Sequence, residues 1–430
     1  MPRAADTADR IWSTLSPARR TAALALLLAA ATLPVFSRQF LGRTGGEIPI
    51  FIRGVEALLD GRLYGDHVFE YPPYALIWFF APYAWSDDMQ AFRFALGLEI
   101  WLVDAAIKAT LLWRGVRARN GFPDLIPFLM YSLGSAALGH LLLMKYDLIP
   151  AALSLAGVLA VAGARPFLGG VATAVAAGSK AYPALFIPVL AVVAWRRSSE
   201  EARRFIVGVA LAAAPLLLLA AWMPWWNFAS FHGARGLEVG SLAASFVWAL
   251  HFTGLEASWA LIGTSNEVGG PLARLLLGPA RVLWVVATLA CVSMAVAAAW
   301  RMVRAGETPA ASVAALTLLT VTAFVATNTV FSPQFHLWLI PLAALALEGR
   351  RRGLSRQAVR GAWVIVLATL IVPTFYPSRE YAMGLGLWRT AVVVLRNLLL
   401  LYATVCLWRA AGERSEQRHG HGTGAAQLPV

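Results

Sequence analysis

Thr21–Phe36, Phe205–Trp222 and Val282–Trp300 are unbroken apolar runs, each about long enough to cross a hydrocarbon core near 30 Å. Nothing else in the sequence limits the fold as strongly. Only 14% of the 430 residues are charged and the mean hydropathy is +0.64. A soluble domain has about a quarter of its residues charged, so these charges are too few to coat a water-facing surface. The chain reads as a polytopic integral membrane protein. Cys291 and Cys406, its two cysteines, both fall in apolar segments and supply neither a disulfide framework nor a metal-ligand cluster.

The net charge of +13 does not indicate a nucleic-acid partner, because the basic residues lie in short loops between apolar runs. The apolar pattern places spans at about 20–36, 90–113, 124–144, 147–163, 166–179, 182–195, 205–223, 280–300, 309–328, 335–348, 361–376 and 388–408. That gives an all-α bundle of about 12 transmembrane helices with further helices on the outer surface. The first run follows Arg19 and Arg20 as a signal peptide would, but a retained helix fits the remaining topology better.

Pro72–Trp85 decides the orientation. Counted as a span, it puts Arg114, Arg117 and Arg119 outside; as an interfacial or re-entrant helix, it puts them inside. With the second choice about 22 of the 36 Lys and Arg fall on the inner side. They include Arg19, Arg20, Arg165, Arg196, Arg197, Arg301, Arg350, Arg351 and Arg352. Both termini are then cytoplasmic, in a plasma-membrane protein with one domain over 1–411 and a disordered polar tail over 412–430. Two long outer loops remain, about 37–89 and 224–279. The first holds an amphipathic stretch, Ile48–Leu63, expected to lie along the surface. The second is rich in tryptophan: Trp225, Trp226, Trp248 and Trp259.

The same topology puts the remaining polar clusters at outer helix ends. They are Glu47, Glu70-Tyr71-Pro72-Pro73, Lys145-Tyr146-Asp147, Lys180-Ala181-Tyr182-Pro183, Ser332-Pro333-Gln334-Phe335-His336 and Arg379-Glu380-Tyr381. Polar groups in a membrane are costly and usually functional, and carboxylates, lysines and a histidine at one depth can host acid–base and phosphate chemistry. Each residue also has a plain structural reading. Asp147 suits the N-cap of the helix that continues Leu148-Ile149-Pro150. Lys145 and Lys180 can snorkel to the surface. Glu47 suits a helix start, Glu70 a loop and His336 a satisfied core position. Asp104 and Lys108 are four apart on one helix and can pair. No P-loop, Gly-rich nucleotide fingerprint, Ser-His-Asp pattern or histidine spacing typical of a metal site is present.

These segments resemble the GT-C superfamily of membrane glycosyltransferases, and specifically glycosyltransferase family 87. The stretches that carry the resemblance are Gly46-Glu47-Ile48-Pro49-Ile50-Phe51, Ala57-Leu58-Leu59-Asp60-Gly61-Arg62-Leu63-Tyr64 and Glu70-Tyr71-Pro72-Pro73. Lys145-Tyr146-Asp147-Leu148-Ile149-Pro150, Gly178-Ser179-Lys180-Ala181-Tyr182-Pro183 and Phe331-Ser332-Pro333-Gln334-Phe335 follow in the same order. The resemblance implies a polyprenyl-phosphate-sugar donor, often mannose, and a catalytic carboxylate in the first outer loop. The family usually carries Asp where this chain has Glu47, the same charge with one more methylene.

On that resemblance Glu47 is expected as general base, and Lys180, Lys145 and His336 as donor-phosphate ligands. Glu70, Tyr71, Asp147, Tyr182 and Gln334 are expected to bind substrate. No metal or other cofactor is expected. The partners would be the lipid-linked donor, a glycolipid, glycan or protein acceptor, and membrane lipids. Two rival classes remain. A transporter or flippase of lipid-linked sugars suits the helix number, although such sites sit near the midplane and are often built from repeats. A non-catalytic relative would also carry these motifs.

Overall fold

The computed structural model describes residues 2–37, 47–65, 69–118, 121–262, 265–304, 308–376 and 384–413. Arg379-Glu380-Tyr381, Gly46, Arg119 and the tail from 414 lie outside the described residues.

Apolar periodicity becomes helix almost throughout, and the chain is a multi-pass helical membrane protein. The elements begin with α1 (Pro2–Thr14), α2 (Pro17–Ser37), α3 (Ile48–Leu59), α4 (Ala75–Trp85), α5 (Met89–Arg117), α6 (Ile126–Ala137) and α7 (Gly139–Met144). Then come α8 (Leu148–Ala162), α9 (Pro166–Ser179), α10 (Ile187–Arg197), α11 (Ser199–Leu219), α12 (Asn227–Ala234) and α13 (Leu242–His251). The series closes with α14 (Pro271–Arg304), α15 (Ala310–Thr327), α16 (His336–Glu348), α17 (Arg356–Leu370) and α18 (Leu387–Gly412). Among the described residues six helices are long and apolar enough to cross a membrane. The expected span 124–144 divides at Leu138 into α6 and α7. α14 begins at Pro271, well before the expected start.

The second long loop departs from an all-helical expectation. Between α12 and α14 it carries β1 (Leu237–Glu238), β2 (Ser258–Ile262) and β3 (Ser265–Gly269), in the antiparallel order β1-β3-β2. Short alternating segments in an aromatic-rich loop carry little periodic signal, which is why the sequence does not announce them.

Eleven residues make α4 about 16 Å long, roughly half the hydrocarbon thickness. Its partner α3 buries Ile48, Phe51 and Val55, while Leu59 at its end is exposed. The apolar stripe is covered by protein: Phe51 stacks on Phe79 of α4 at 4.2 Å and meets the edge of Tyr146. α3 is therefore docked on the bundle by its apolar face.

The helices carry their charges at opposite ends. α8 starts beside Asp147, and at its other end Val161 and Ala162 present carbonyls to Arg197. α16 starts beside Gln334 and ends at Glu348, which binds Arg114 at 2.8 Å and Arg352 at 3.1 Å. Arg350 pairs with Asp124 at that same end. The fifteen residues of α8, about 22 Å, therefore separate an arginine end from an end holding Asp147. Between them lies the pair expected from spacing. Lys108 binds Asp104 at 2.5 Å with both side chains fully buried, Tyr131 donates to Asp104 and Lys108 donates to the Ala31 carbonyl, tying α2, α5 and α6 together.

Candidate functional site

Five chain breaks bring the site together, those that hold Glu47, Tyr71, Lys145 with Asp147, Lys180 and Gln334. α3 starts immediately after Glu47, with Pro49 in its first turn, yet the Glu47 side chain makes no cap hydrogen bond. Asp147 stands in the same relation to α8 and does not cap either. Both carboxylates turn away from their own helices and toward one another's neighbourhood. The plain capping reading of Asp147 therefore fails on geometry.

Glu47 is surrounded by donors. Lys145 ion-pairs with Oε1, the Tyr71 hydroxyl donates to Oε2 at 2.9 Å, and the Gln334 amide reaches Oε1 at 3.4 Å. Gln334 is oriented by Ser332, whose hydroxyl donates to its Oε1 at 2.8 Å. Burial pushes the Glu47 carboxyl up, but the Lys145 and Lys180 charges and the hydrogen bonds from Lys145 and Tyr71 outweigh it. The group is held below the ordinary carboxylate range. Lys145 is affected in reverse: burial lowers it, and the Glu47 carboxylate more than restores it, leaving it above an ordinary lysine.

Asp147 forms the second pair. Lys180 binds its Oδ1 at 2.7 Å, and the Trp338 indole donates to the same oxygen at 2.7 Å. The Lys180 ammonium lies 5.3 Å from the Tyr71 ring, 5.0 Å from Tyr146 and 5.3 Å from Trp338, within cation–π range of all three. Tyr182 stacks on Trp338 at 4.3 Å, nearly parallel, so it supports the cluster from behind.

Local sequence explains the convergence. Gly178 lets Tyr74 approach: a Cβ there would meet the Tyr74 ring at 2.4 Å, and the Tyr74 amide bonds the Gly178 carbonyl at 3.0 Å. One residue on, Ser179 takes the Tyr146 hydroxyl on its carbonyl and the Trp78 indole on its hydroxyl, each at 2.9 Å. Lys180 follows in extended conformation at the end of α9 and so faces Asp147. The ion-paired side chains of Glu47, Lys145 and Lys180 are only 15%, 11% and 13% exposed, so the cluster is enclosed but open at one side.

Glu70 is buried beside this group. Burial and the Glu47 charge raise its carboxyl, partly opposed by a Tyr71 hydrogen bond and Arg235. Its backbone carbonyl lies 2.9 Å from His232 Nε2 of α12. Burial lowers His232 to about 4, so at neutral pH its neutral ring donates Nε2–H to that carbonyl. α12 thus closes over the Glu70-Tyr71 turn, a role for the second loop that the sequence reading did not assign.

His336 does not join the cluster. Its Nδ1 lies 3.0 Å from the Thr369 hydroxyl and its ring packs on Phe331, so its contacts are with the core of the bundle. Trp338, two residues further along α16, reaches Asp147 instead. Among the described residues no three His, Cys, Asp or Glu side chains gather as a metal site would require.

An apolar groove opens beside the site. About 330 Å³ in volume, it is lined by Trp78 of α4, Val103 and Ile107 of α5, and Ile149, Leu153 and Leu159 of α8. Trp78 bonds Ser179, the residue before Lys180, and Ile149 follows Asp147 by two residues. Along α8 it runs ten residues, about 15 Å, toward the arginine end.

Residues 69–266 match Glycosyltransferase family 87. Over that segment the chain is family 87-like. The matched segment contains Glu70, Tyr71, Lys145, Asp147, Lys180 and Tyr182; Glu47, Gln334 and Trp338 come from outside it. The crystal structure of ArnT from Cupriavidus metallidurans in the apo state is also similar, with 15% identity and a TM-score of 0.47 over 91% of this chain and 78% of that one. No curated protein matches the chain.

Proposed function

We propose that the protein transfers a hexose, mannose in the first instance, or a pentose from a polyprenyl-phosphate-sugar donor to an acceptor hydroxyl at the outer face of the membrane. The observation that carries this reading is the meeting of two carboxylate–lysine pairs beside the mouth of an apolar groove. A donor that is both a phosphodiester and a long hydrocarbon needs those two environments side by side.

In this scheme the acceptor oxygen attacks the anomeric carbon, through an oxocarbenium-like transition state like that of glycoside hydrolysis. Its proton passes to Glu47, the general base. The bond from the anomeric carbon to the phosphate oxygen breaks and the electron pair leaves with the phosphate. Lys180 and Lys145 meet the charge that develops there, as fixed cations in a water-poor site. Gln334 and Tyr71 hold Glu47 in place. Asp147, expected to touch substrate, acts by placing Lys180, since the lysine and Trp338 share its Oδ1. His336, expected at the phosphate, has its contacts with Thr369 and Phe331, and no step is assigned to it. The polyprenyl chain lies along Trp78, Ile107 and Leu153.

The arginine end supports the outward orientation. Arg114, Arg197, Arg350 and Arg352 lie at the end of the bundle away from Glu47, and by the positive-inside rule that end faces the cytoplasm. The site then faces outward. The test is incubation of purified protein in detergent with a panel of polyprenyl-phosphate sugars, following release of the lipid phosphate. Release without a sealed compartment is expected. Movement of the lipid-linked sugar across sealed vesicles, with no release in detergent, would instead establish transport.

A further inference from the structure

We infer that Glu47 and the donor phosphate compete for one cation, Lys145, so that the base is locked in an ion pair until the donor arrives. The inference rests on the donor reading above and concerns how that site is controlled.

Its basis is the division of cations in the cluster. Each lysine already has a carboxylate: Lys145 is on Glu47 and Lys180 is on Asp147. The two pairs are not equally replaceable. Asp147 is fully buried and shares its Lys180-bound oxygen with Trp338, so Lys180 has little freedom to leave. Glu47 also receives the Tyr71 hydroxyl and the Gln334 amide, which remain on it when Lys145 moves. Lys145 stands on extended backbone between α7 and α8, at the end of a flexible stem. It is the cation that can change partners at least cost.

The exchange has a chemical consequence. With Lys145 on it, Glu47 is a stabilised carboxylate and a weak proton acceptor. Once phosphate draws the ammonium away, the carboxylate gains basicity at the moment an acceptor hydroxyl must lose its proton. No covalent bond changes in this step; one ammonium moves from carboxylate to phosphate oxygen. Acceptor activation is thereby confined to enzyme that already holds donor.

Competition of this kind is reciprocal, which gives a test independent of the acceptor. The probe is undecaprenyl phosphate, and the measurement is its equilibrium binding to purified protein in detergent. Glu47→Gln is expected to bind it more tightly than wild type, by about tenfold, because Lys145 is released. Lys145→Gln is expected to bind it more weakly. In the Lys145→Gln background the further change Glu47→Gln is expected to have no effect. That double-variant cycle separates exchange from simple charge repulsion. Should Lys145→Gln be misfolded by thermal denaturation, Lys145→Met takes its place in the cycle. Equal tightening in both backgrounds, or none in the wild-type background, overturns the exchange and leaves the donor reading standing. Failure of the wild-type protein to bind the probe removes the donor reading, and the exchange with it.

Discussion

Trp338 donates its indole N–H to Asp147 across 2.7 Å, and Lys180 pairs with the same oxygen. A residue from an apolar helix therefore fixes the position of a cation on a different helix. Trp338→Phe removes this donor while keeping an aromatic ring between Tyr182 and Lys180, at the cost of the indole's second ring in a buried position. A hydrogen bond to a charged group contributes about 1.5–3 kcal/mol, so turnover should fall about tenfold or more with the fold intact. Unchanged steady-state kinetics would show that Asp147 holds Lys180 without help.

The groove makes a prediction that depends on chain length. Ala156 lies on its wall and is exposed to it. Ala156→Trp fills the space that the proposed hydrocarbon tail occupies. KM should rise for long polyprenyl donors and stay level for donors with one or two isoprene units. Equal effects on both would place the tail elsewhere.

His232 gives the second loop a pH response. Its folded value is about 4 against 6.5 for a free histidine, because burial disfavours the charged ring. The unfolded chain therefore binds the extra proton first. Stability from this group is complete above pH 6.5 and is lost as pH falls from 6.5 toward about 4. The protection factors of the α12 amides, in which the intrinsic pH dependence of exchange is divided out, should fall over that window in the wild type and lose the dependence in His232→Gln. A flat wild-type profile would contradict the burial argument.

The buried pair Lys108–Asp104 should matter for stability and not for chemistry. Lys108→Met leaves a carboxylate uncompensated in the bundle, a change that costs about 3–5 kcal/mol in comparable buried pairs. Adding Asp104→Asn should recover much of the loss. Thermal unfolding of the single and double variants in detergent reads this directly. A double variant no more stable than Lys108→Met would show that the pair is not coupled as its geometry implies.

Much of the site is legible in the sequence because membranes make polar residues conspicuous. Glu47, Tyr71, Lys145, Asp147, Lys180 and Gln334 all interrupt apolar runs, and the structure brings these six together. Trp338 escaped notice for the same reason. It sits in the apolar run of α16, where a tryptophan has no contrast against its neighbours. His336 shows the opposite error: a titratable side chain beside the right motif points into the core, toward Thr369. One residue's rotation on a helix is about 100°, and a motif at a helix start does not specify it. The small sheet and the cover provided by α12 depend on contacts between distant segments, such as His232 with Glu70, which no local pattern encodes.

The central claim is that Glu47 takes the acceptor's proton. Glu47→Gln retains the contact with the Tyr71 hydroxyl and matches the side chain in size, so the fold should survive. Transfer by purified Glu47→Gln, with a polyprenyl-phosphate-sugar donor that the wild type turns over, measures the claim directly. The expected result is a loss of at least about 10²–10⁴-fold in kcat in a variant that still unfolds cooperatively. Turnover within a few fold of wild type would contradict it.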